Sequence, residues 1–316
     1  MNTFIIRRIL QTIPVLLGVS ITVFLLIKLV PGDIASSLLG HEATPAELEA
    51  LREALGLNAP LHIQFIQWLS GVVRGDLGQS IEFRRPVTEM VTSRLQNTLI
   101  LSGAALLLST FFGIAIGVFS AIRPRSWIDR TGTLVALFGN SMPAFWIGIL
   151  LILLFSLQLR WLPAAGMQSI RGGGGTLDLL RHLILPAFTL AMLSIATVAR
   201  MTRSCMLDVI QQDFVRTAKA KGLREPRVVV RHVLRNALLP IVTILGLQLG
   251  YMLGGAVLTE TVFSWPGVGL MLHRAISTRD LPLIQGGILM IATGFVFINL
   301  IVDLLYAYLD PRVTMR

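Results

Sequence analysis

The chain has 316 residues, 54% of them hydrophobic and only 14% charged, with a mean hydropathy of +0.74. This excludes an ordinary soluble domain and fits a protein whose outer surface, as well as its core, meets an apolar solvent. A net charge of +10 raises nucleic acid as a partner, and the single Cys205 excludes an internal disulfide framework and an all-cysteine metal site.

After Arg7 and Arg8, an apolar stretch covers residues 9–30. Its basic start is that of a signal peptide. However, it reaches the roughly 20 residues that a bilayer requires, and no small-x-small cleavage site precedes Pro31. An uncleaved first transmembrane helix is expected over 1–30, with Lys28 snorkelling to the headgroups near its outer end. Residues 31–96 are the most polar outer part and are expected to form an extracytoplasmic insertion. Within it, Thr44-Pro-Ala-Glu47 is a capping box with proline at the first helical position. Leu48, Leu51 and Leu55 follow at helical spacing before Gly56. Residues 61–69 are apolar but too short to span, so a helix on the membrane surface or over the bundle is expected.

A core over 97–308 contributes five further expected spans, at about 98–122, 131–157, 182–203, 237–263 and 283–308, before a tail at 309–316. Gly113 and Gly117 in the second span, and Gly246, Gly250 and Gly254 in the fifth, recur every four residues and offer bare backbone for close helix packing. In the third span, Asn140, Ser141 and Met142 precede Pro143. Polar groups at membrane depth must face protein or water, so they serve either an interhelical hydrogen bond at a kink or a pathway lining. Gln248, Met252 and Glu260 in the fifth span are further candidates for that lining. For Glu260 an interfacial pairing with Arg274 or Arg279 competes. Trp265 is expected in an aromatic belt at the interface.

With the N-terminus placed inside, 16 of the 27 basic residues but only six of the 17 acids fall on the inner segments. The whole positive excess then lies on one side, which is the positive-inside pattern and argues for cytoplasmic termini. It also removes nucleic acid as a partner, because the charge is topological; the surface partner it leaves is membrane lipid.

No G-x-x-x-x-G-K-[ST] loop is present, and the glycine run at 172–175 has no Lys-Ser or Lys-Thr after it. The histidines at 41, 62, 182, 232 and 273 form no metal or catalytic pattern, so no catalytic residue and no metal site are expected. Ionisable groups inside the spans, Glu260 and Asp303, sit near span ends, which weakens a proton- or sodium-driven mechanism.

The remaining feature is the basic loop 204–236. Residues 208–221 read as a short helix stopped by Gly222, followed by an amphipathic basic helix that returns to the membrane before Pro240. The loop can lie on anionic lipid, or it can present a projecting helix to a socket on another protein. Ala218 and Gly222, four residues apart, are the small residues at which such a partner could come close.

Residues 213–223 read D-F-V-R-T-A-K-A-K-G-L and residues 235–240 read R-N-A-L-L-P. This stretch resembles the coupling loop of bacterial ABC-importer permeases, whose signature is E-A-A, three residues, G, and later I-x-L-P. Gly222 and Ala218 match it, while Thr217 and Arg216 replace the first alanine and the glutamate. Both that departure and the longer distance to Leu239-Pro240 are typical of the dipeptide, oligopeptide and nickel branch. Pro31-Gly-Asp33, Leu55-Gly-Leu57, Gly75-Asp-Leu-Gly78, Ser141-Met-Pro143, Glu260-Thr-Val-Phe-Ser-Trp-Pro-Gly267 and Asp310-Pro-Arg312 extend the resemblance over nearly the whole chain.

The resemblance implies an all-α polytopic membrane protein with six transmembrane helices, a type I importer permease with both termini cytoplasmic. It implies a homologous second permease subunit, two ATPase subunits that carry ATP and magnesium, and an extracytoplasmic substrate-binding protein. It also implies ATPase coupling through Asp213, Phe214, Arg216, Thr217, Ala218, Lys221, Gly222 and Leu223. The cargo it implies is peptide, with glutathione, opines or nickel chelates as alternatives. An autonomous channel or secondary transporter and an intramembrane enzyme remain the rival readings.

Overall fold

The structure is a computed structural model that describes residues 2–29, 44–54, 56–127, 129–132, 134, 142–169 and 174–309. Among them there is no β-strand, only one isolated bridge between Gln79 and Pro86. The elements are α1 (Asn2–Leu29), α2 (Pro45–Ala54), α3 (Leu61–Val73), α4 (Val87–Ile122), α5 (Ala144–Leu151), α6 (Thr176–Ile210), α7 (Asp213–Ala220), α8 (Glu225–Arg227), α9 (Arg235–Val262), α10 (Val268–Thr278) and α11 (Leu281–Leu309). A π-helical stretch, Ile152–Gln158, continues α5, and a second, Val228–Leu234, joins α8 to α9.

Among the described residues, five helices are long and apolar enough to cross a membrane: α1, α4, α6, α9 and α11. The expected third span is represented by Ala144–Gln158, 15 residues that begin after Pro143. Pro143 itself is extended, at φ −59° and ψ 133°, so the described helix starts there instead of kinking through it. Asn140 and Ser141, the Pro31-Gly-Asp33 motif, Leu55 and the Asp310-Pro-Arg312 tail lie outside the described residues.

The apolar stretch of α6 is 72% buried, against 17% for α1 and 11% for α11, which makes α6 the axis of the bundle. Its buried face is rich in small residues (Ala187, Ala191, Ser194, Ala199, Thr202), and α4 lies along it. A Cβ on Gly113 would come within 2.7 Å of Val198, and one on Gly117 within 2.5 Å of Thr202. Gly246 and Gly250 likewise face Val302 and Phe295 of α11, whereas Gly254 has open space beside it. The exposed faces of α1, α4 and α5 carry Leu10, Leu17, Leu107, Phe111, Phe119 and Leu150, as surfaces in contact with lipid or another apolar partner require.

Three apolar clusters follow one another along the bundle. One joins Val87 and Val91 to Val268, Leu272 and Leu283. A middle one surrounds Leu101, Leu190, Met252 and Trp265. The third, at the end carrying α7 and most of the basic residues, includes Ala121, Met206, Val209, Val215, Ala218, Val228, Val233 and Ile241.

Several boundaries differ from the sequence reading. α4 runs unbroken through residues 96 and 97, so the expected border of the insertion falls inside a helix. α6 continues to Ile210, which shortens the projecting helix to eight residues. α10 was not anticipated. Trp265 is fully buried, and its Nε1 donates to the Asn97 carbonyl at 2.9 Å, so it is a core residue and not part of an interfacial belt. The capping box is present, with Glu47 Oε2 accepting from Thr44 N at 2.9 Å. α3 packs on α1 through Phe24, Phe65 and Trp68, and Lys28 Nζ donates to Gln64 Oε1 at 2.5 Å.

Candidate functional site

α7 is built by local rules. Gln212 precedes it in an extended conformation, and Asp213 puts a carboxylate in the first turn, where the helix dipole favours it. The helix closes with a Schellman motif: Leu223 N donates to Ala218 O at 3.4 Å and Gly222 N to Lys219 O at 2.9 Å. Gly222 takes φ +77°, a conformation that glycine adopts without strain, and the space around its α-carbon is open. Gly222 is therefore required by the backbone turn and not by a tight contact.

The two faces of α7 have different tasks. Val215 and Ala218 are buried in the cluster that also takes side chains from α4, α6, the π stretch and α9, with Leu223 packed against it. The opposite face is exposed and carries Phe214, Thr217 and Lys221 in a line, beside Asp213 and Arg216. Phe214 leaves 40% of its surface uncovered on a helix only eight residues long. The expectation that Ala218 offers a partner a close approach is corrected here, because it is spent on the chain's own core. A two-residue turn ties α7 to α6, and the short stretch before the π helix ties it to α9. α7 is thus joined, by packing or by chain, to the ends of α4, α6 and α9.

A half-buried ion pair stands beside this cluster. Asp129 accepts from Arg203 Nε at 2.7 Å and from Nη2 at 2.9 Å, and also from Arg125 N at 2.9 Å. The Arg203 hydrogen bond holds the Asp129 carboxyl below its ordinary range, despite the opposing effect of burial. The fork pins the turn after α4 to the lower part of α6.

At the other end of the bundle, the motif that begins at Glu260 forms a lock. Glu260 is fully buried. Its Oε2 accepts from Gly269 N at 2.7 Å and Leu270 N at 3.1 Å, and its Oε1 accepts from Thr98 Oγ1 at 2.6 Å. The Thr98 hydroxyl accepts in turn from Val268 N at 2.9 Å. The first three free N–H groups of α10 are thus capped from two other helices. A side chain on Gly267 would occupy the carboxylate's place, and one on Gly269 would run into the Val257 backbone as well as crowd the carboxylate, which explains both glycines. The pairing of Glu260 with Arg274 or Arg279 does not occur, since the carboxylate is consumed by backbone N–H groups.

The pathway candidates separate in the same way. Met252 is buried in the middle cluster and Glu260 in the lock, so neither presents a surface to a passage in this structure. Gln248 accepts from Ser194 at 2.8 Å, joining α9 to α6. Met142 is exposed. Sequence reasoning missed Thr98, Val215, Asp129 and Arg203, although the Arg203 and Asp129 pair is visible as opposite charges on segments expected at one membrane face.

These features define a class: a multi-pass helical membrane protein with a short amphipathic helix keyed into the ends of its long helices. Residues 113–315 match the binding-protein-dependent transport system inner membrane component family, and residues 1–102 match its N-terminal companion family. The chain belongs to this family of inner-membrane transport components. It is 41% identical, over 99% of both chains, to the dipeptide transport system permease protein DppB of Alkalihalophilus pseudofirmus. It is 44% identical, over the full length of both, to the glutathione transport system permease protein GsiC of Pectobacterium atrosepticum. Among solved structures it resembles a chain of the inward-facing MetNI methionine ABC transporter, with a TM-score of 0.58, 15% identity, and coverage of 70% of this chain and 96% of that one.

Proposed function

We propose that this chain forms half of the translocation pathway of an ATP-driven importer of small peptides, with a homologous second permease completing the pore. Two ATPase subunits on the cytoplasmic side supply Mg-ATP hydrolysis, and an extracytoplasmic binding protein delivers cargo. The termini and α7 lie in the cytoplasm, where the basic excess belongs, and the helix that contains Ala144–Gln158 completes six spans. Asn140, Ser141 and Met142 contribute to the pathway lining.

The observation that carries this reading is the two-faced α7. Coupling free energy must pass through a stiff element that both partners bias. The exposed line of Phe214, Thr217 and Lys221 is suited to a groove on an ATPase, with an aromatic anchor between polar residues. The buried Val215 and Ala218 carry the resulting displacement to α4, α6 and α9. Glutathione, itself a small peptide, is the second cargo reading, favoured by the relative that matches over its whole length.

Co-purification tests the partnership. The chain should bring down an ATPase from solubilised membranes, and changing that ATPase's catalytic glutamate should abolish uptake of labelled dipeptide or glutathione. Uptake that persists without the ATPase would instead support an autonomous carrier.

A further inference from the structure

The loop before α4 and the first turns of α4 and α10 enclose a cleft of about 170 Å³. Its walls carry three guanidinium groups, Arg85, Arg94 and Arg274, and Phe83, Leu270 and Met271 supply apolar surface. Arg85 is partly engaged by Glu89, at 2.7 Å. Arg94 spends one N–H on the Pro266 carbonyl at 3.2 Å, which fixes the start of its fork. Among the described residues the Arg274 side chain makes no ion pair or hydrogen bond, and the residue is exposed. Three like charges line the cleft and only Arg85 has a carboxylate in salt-bridge contact, so a positive excess remains that an acidic group would fill.

The cleft is also held rigid. The Glu260 and Thr98 lock fixes α10 against α4. Asp280 accepts from Ser80 Oγ and from Glu82 N, and so fastens the loop that carries Phe83. Of the acids near the cleft, Glu260 and Asp280 are buried in these contacts and Glu89 is on Arg85, while Glu82 is exposed beside Phe83, so the three guanidinium groups still outnumber the carboxylates left to meet them. A pre-formed fork of donors over an apolar floor suits a carboxylate that arrives from solution.

Resting on the outward orientation proposed above, we infer that this cleft receives an aspartate or glutamate side chain of the extracytoplasmic binding protein when it docks. Position favours a soluble partner over lipid. The apolar part of α4 begins near Thr98, and the 11 residues back to Val87 rise roughly 16 Å at 1.5 Å per residue, so the loop that carries Phe83 and Arg85 joins the helix beyond the headgroup layer.

The test uses the intact transporter in nanodiscs and the purified binding protein, with affinity measured at low and at moderate salt. Arg274→Glu is the informative variant because no described contact depends on that side chain. It should weaken binding about ten-fold or more and flatten the salt dependence, while ATPase activity without binding protein stays unchanged. An acid-to-arginine change on the binding protein should restore affinity to Arg274→Glu and weaken it against the parent chain. Parent-like affinity and salt response in Arg274→Glu would overturn the cleft assignment, as would an effect confined to nanodiscs that contain anionic lipid. If the unaltered transporter binds no binding protein at all, the partnership itself fails and the cleft inference falls with it.

Discussion

Glu260 shows how one buried carboxylate can replace a local helix cap. Replacing it with alanine orphans the Gly269 and Leu270 N–H groups and the Thr98 hydroxyl, and opens a hole under Gly267. A loss of about 3 kcal/mol is expected, read as a lower melting temperature of the purified complex. Glu260→Gln keeps an oxygen for α10 and can turn its amide NH2 toward Thr98, so it should fall well short of that loss. Equal destabilisation by both variants would mean that charge, and not the geometry of the cap, holds the lock. Gly222 raises a different matter. At φ +77° an aspartate brings about 1–2 kcal/mol of backbone strain into the end of α7, with no neighbour to clash with. Gly222→Asp should therefore insert at normal levels in membrane fractions yet lose most ATP-driven uptake, and Gly222→Ala, at least as strained at this φ, should lose as much.

The elements that transmit force are short and depend on their anchors. Enlarging Ala218 to leucine overpacks the cluster shared by α4, α6 and α9, at a cost of about 1–3 kcal/mol. It should raise protease sensitivity between α6 and α9 even in the absence of an ATPase, which a change on the exposed face would not do. The Asp129 and Arg203 fork is the second anchor. Because the Asp129 pKa is lowered in the fold, its contribution is present above the ordinary carboxylate range and is lost as pH falls through the depressed value. Protease protection of the turn after α4 should therefore be flat from about pH 5 to 8 and fall only in stronger acid, whereas Asp129→Asn should lose it throughout. What was legible in advance follows the same division between local and distant causes. The capping box at Thr44 and Glu47, the glycine stop at 222 and the apolar runs of α1 and α6 are written in neighbouring residues. α10 escaped notice because its cap comes from Glu260 and Thr98 on other helices, and no side chain at Gly267 announces it. Trp265 was read as interfacial because only the folded packing brings Asn97 to its indole. The inward turn of Ala218 depends on the π stretch that packs over it, a contact that spacing alone does not reveal.

For the molecule as a whole, the proposed function assigns the ATPases to the basic end and the cargo to the opposite end, with α6 as the shared axis. The two ends differ in construction: an exposed helix face on one, a locked arginine cleft on the other. A stiff, small-residue contact between α4 and α6 fits this arrangement, since a soft interface would dissipate the movement of α7 before it reached the far side. The central claim is that the exposed line of α7 is the ATPase-docking surface. The most direct measurement is cysteine cross-linking in native membranes, with Cys205 replaced by serine and single cysteines at Thr217, on the exposed line, and at Val215, on the buried face. The account predicts that Thr217→Cys forms a cross-link to a cysteine in the ATPase groove whose yield changes on ATP addition, while Val215→Cys forms none. Efficient cross-linking from Val215→Cys, or none from any exposed position of α7 in a complex that still transports, would contradict it.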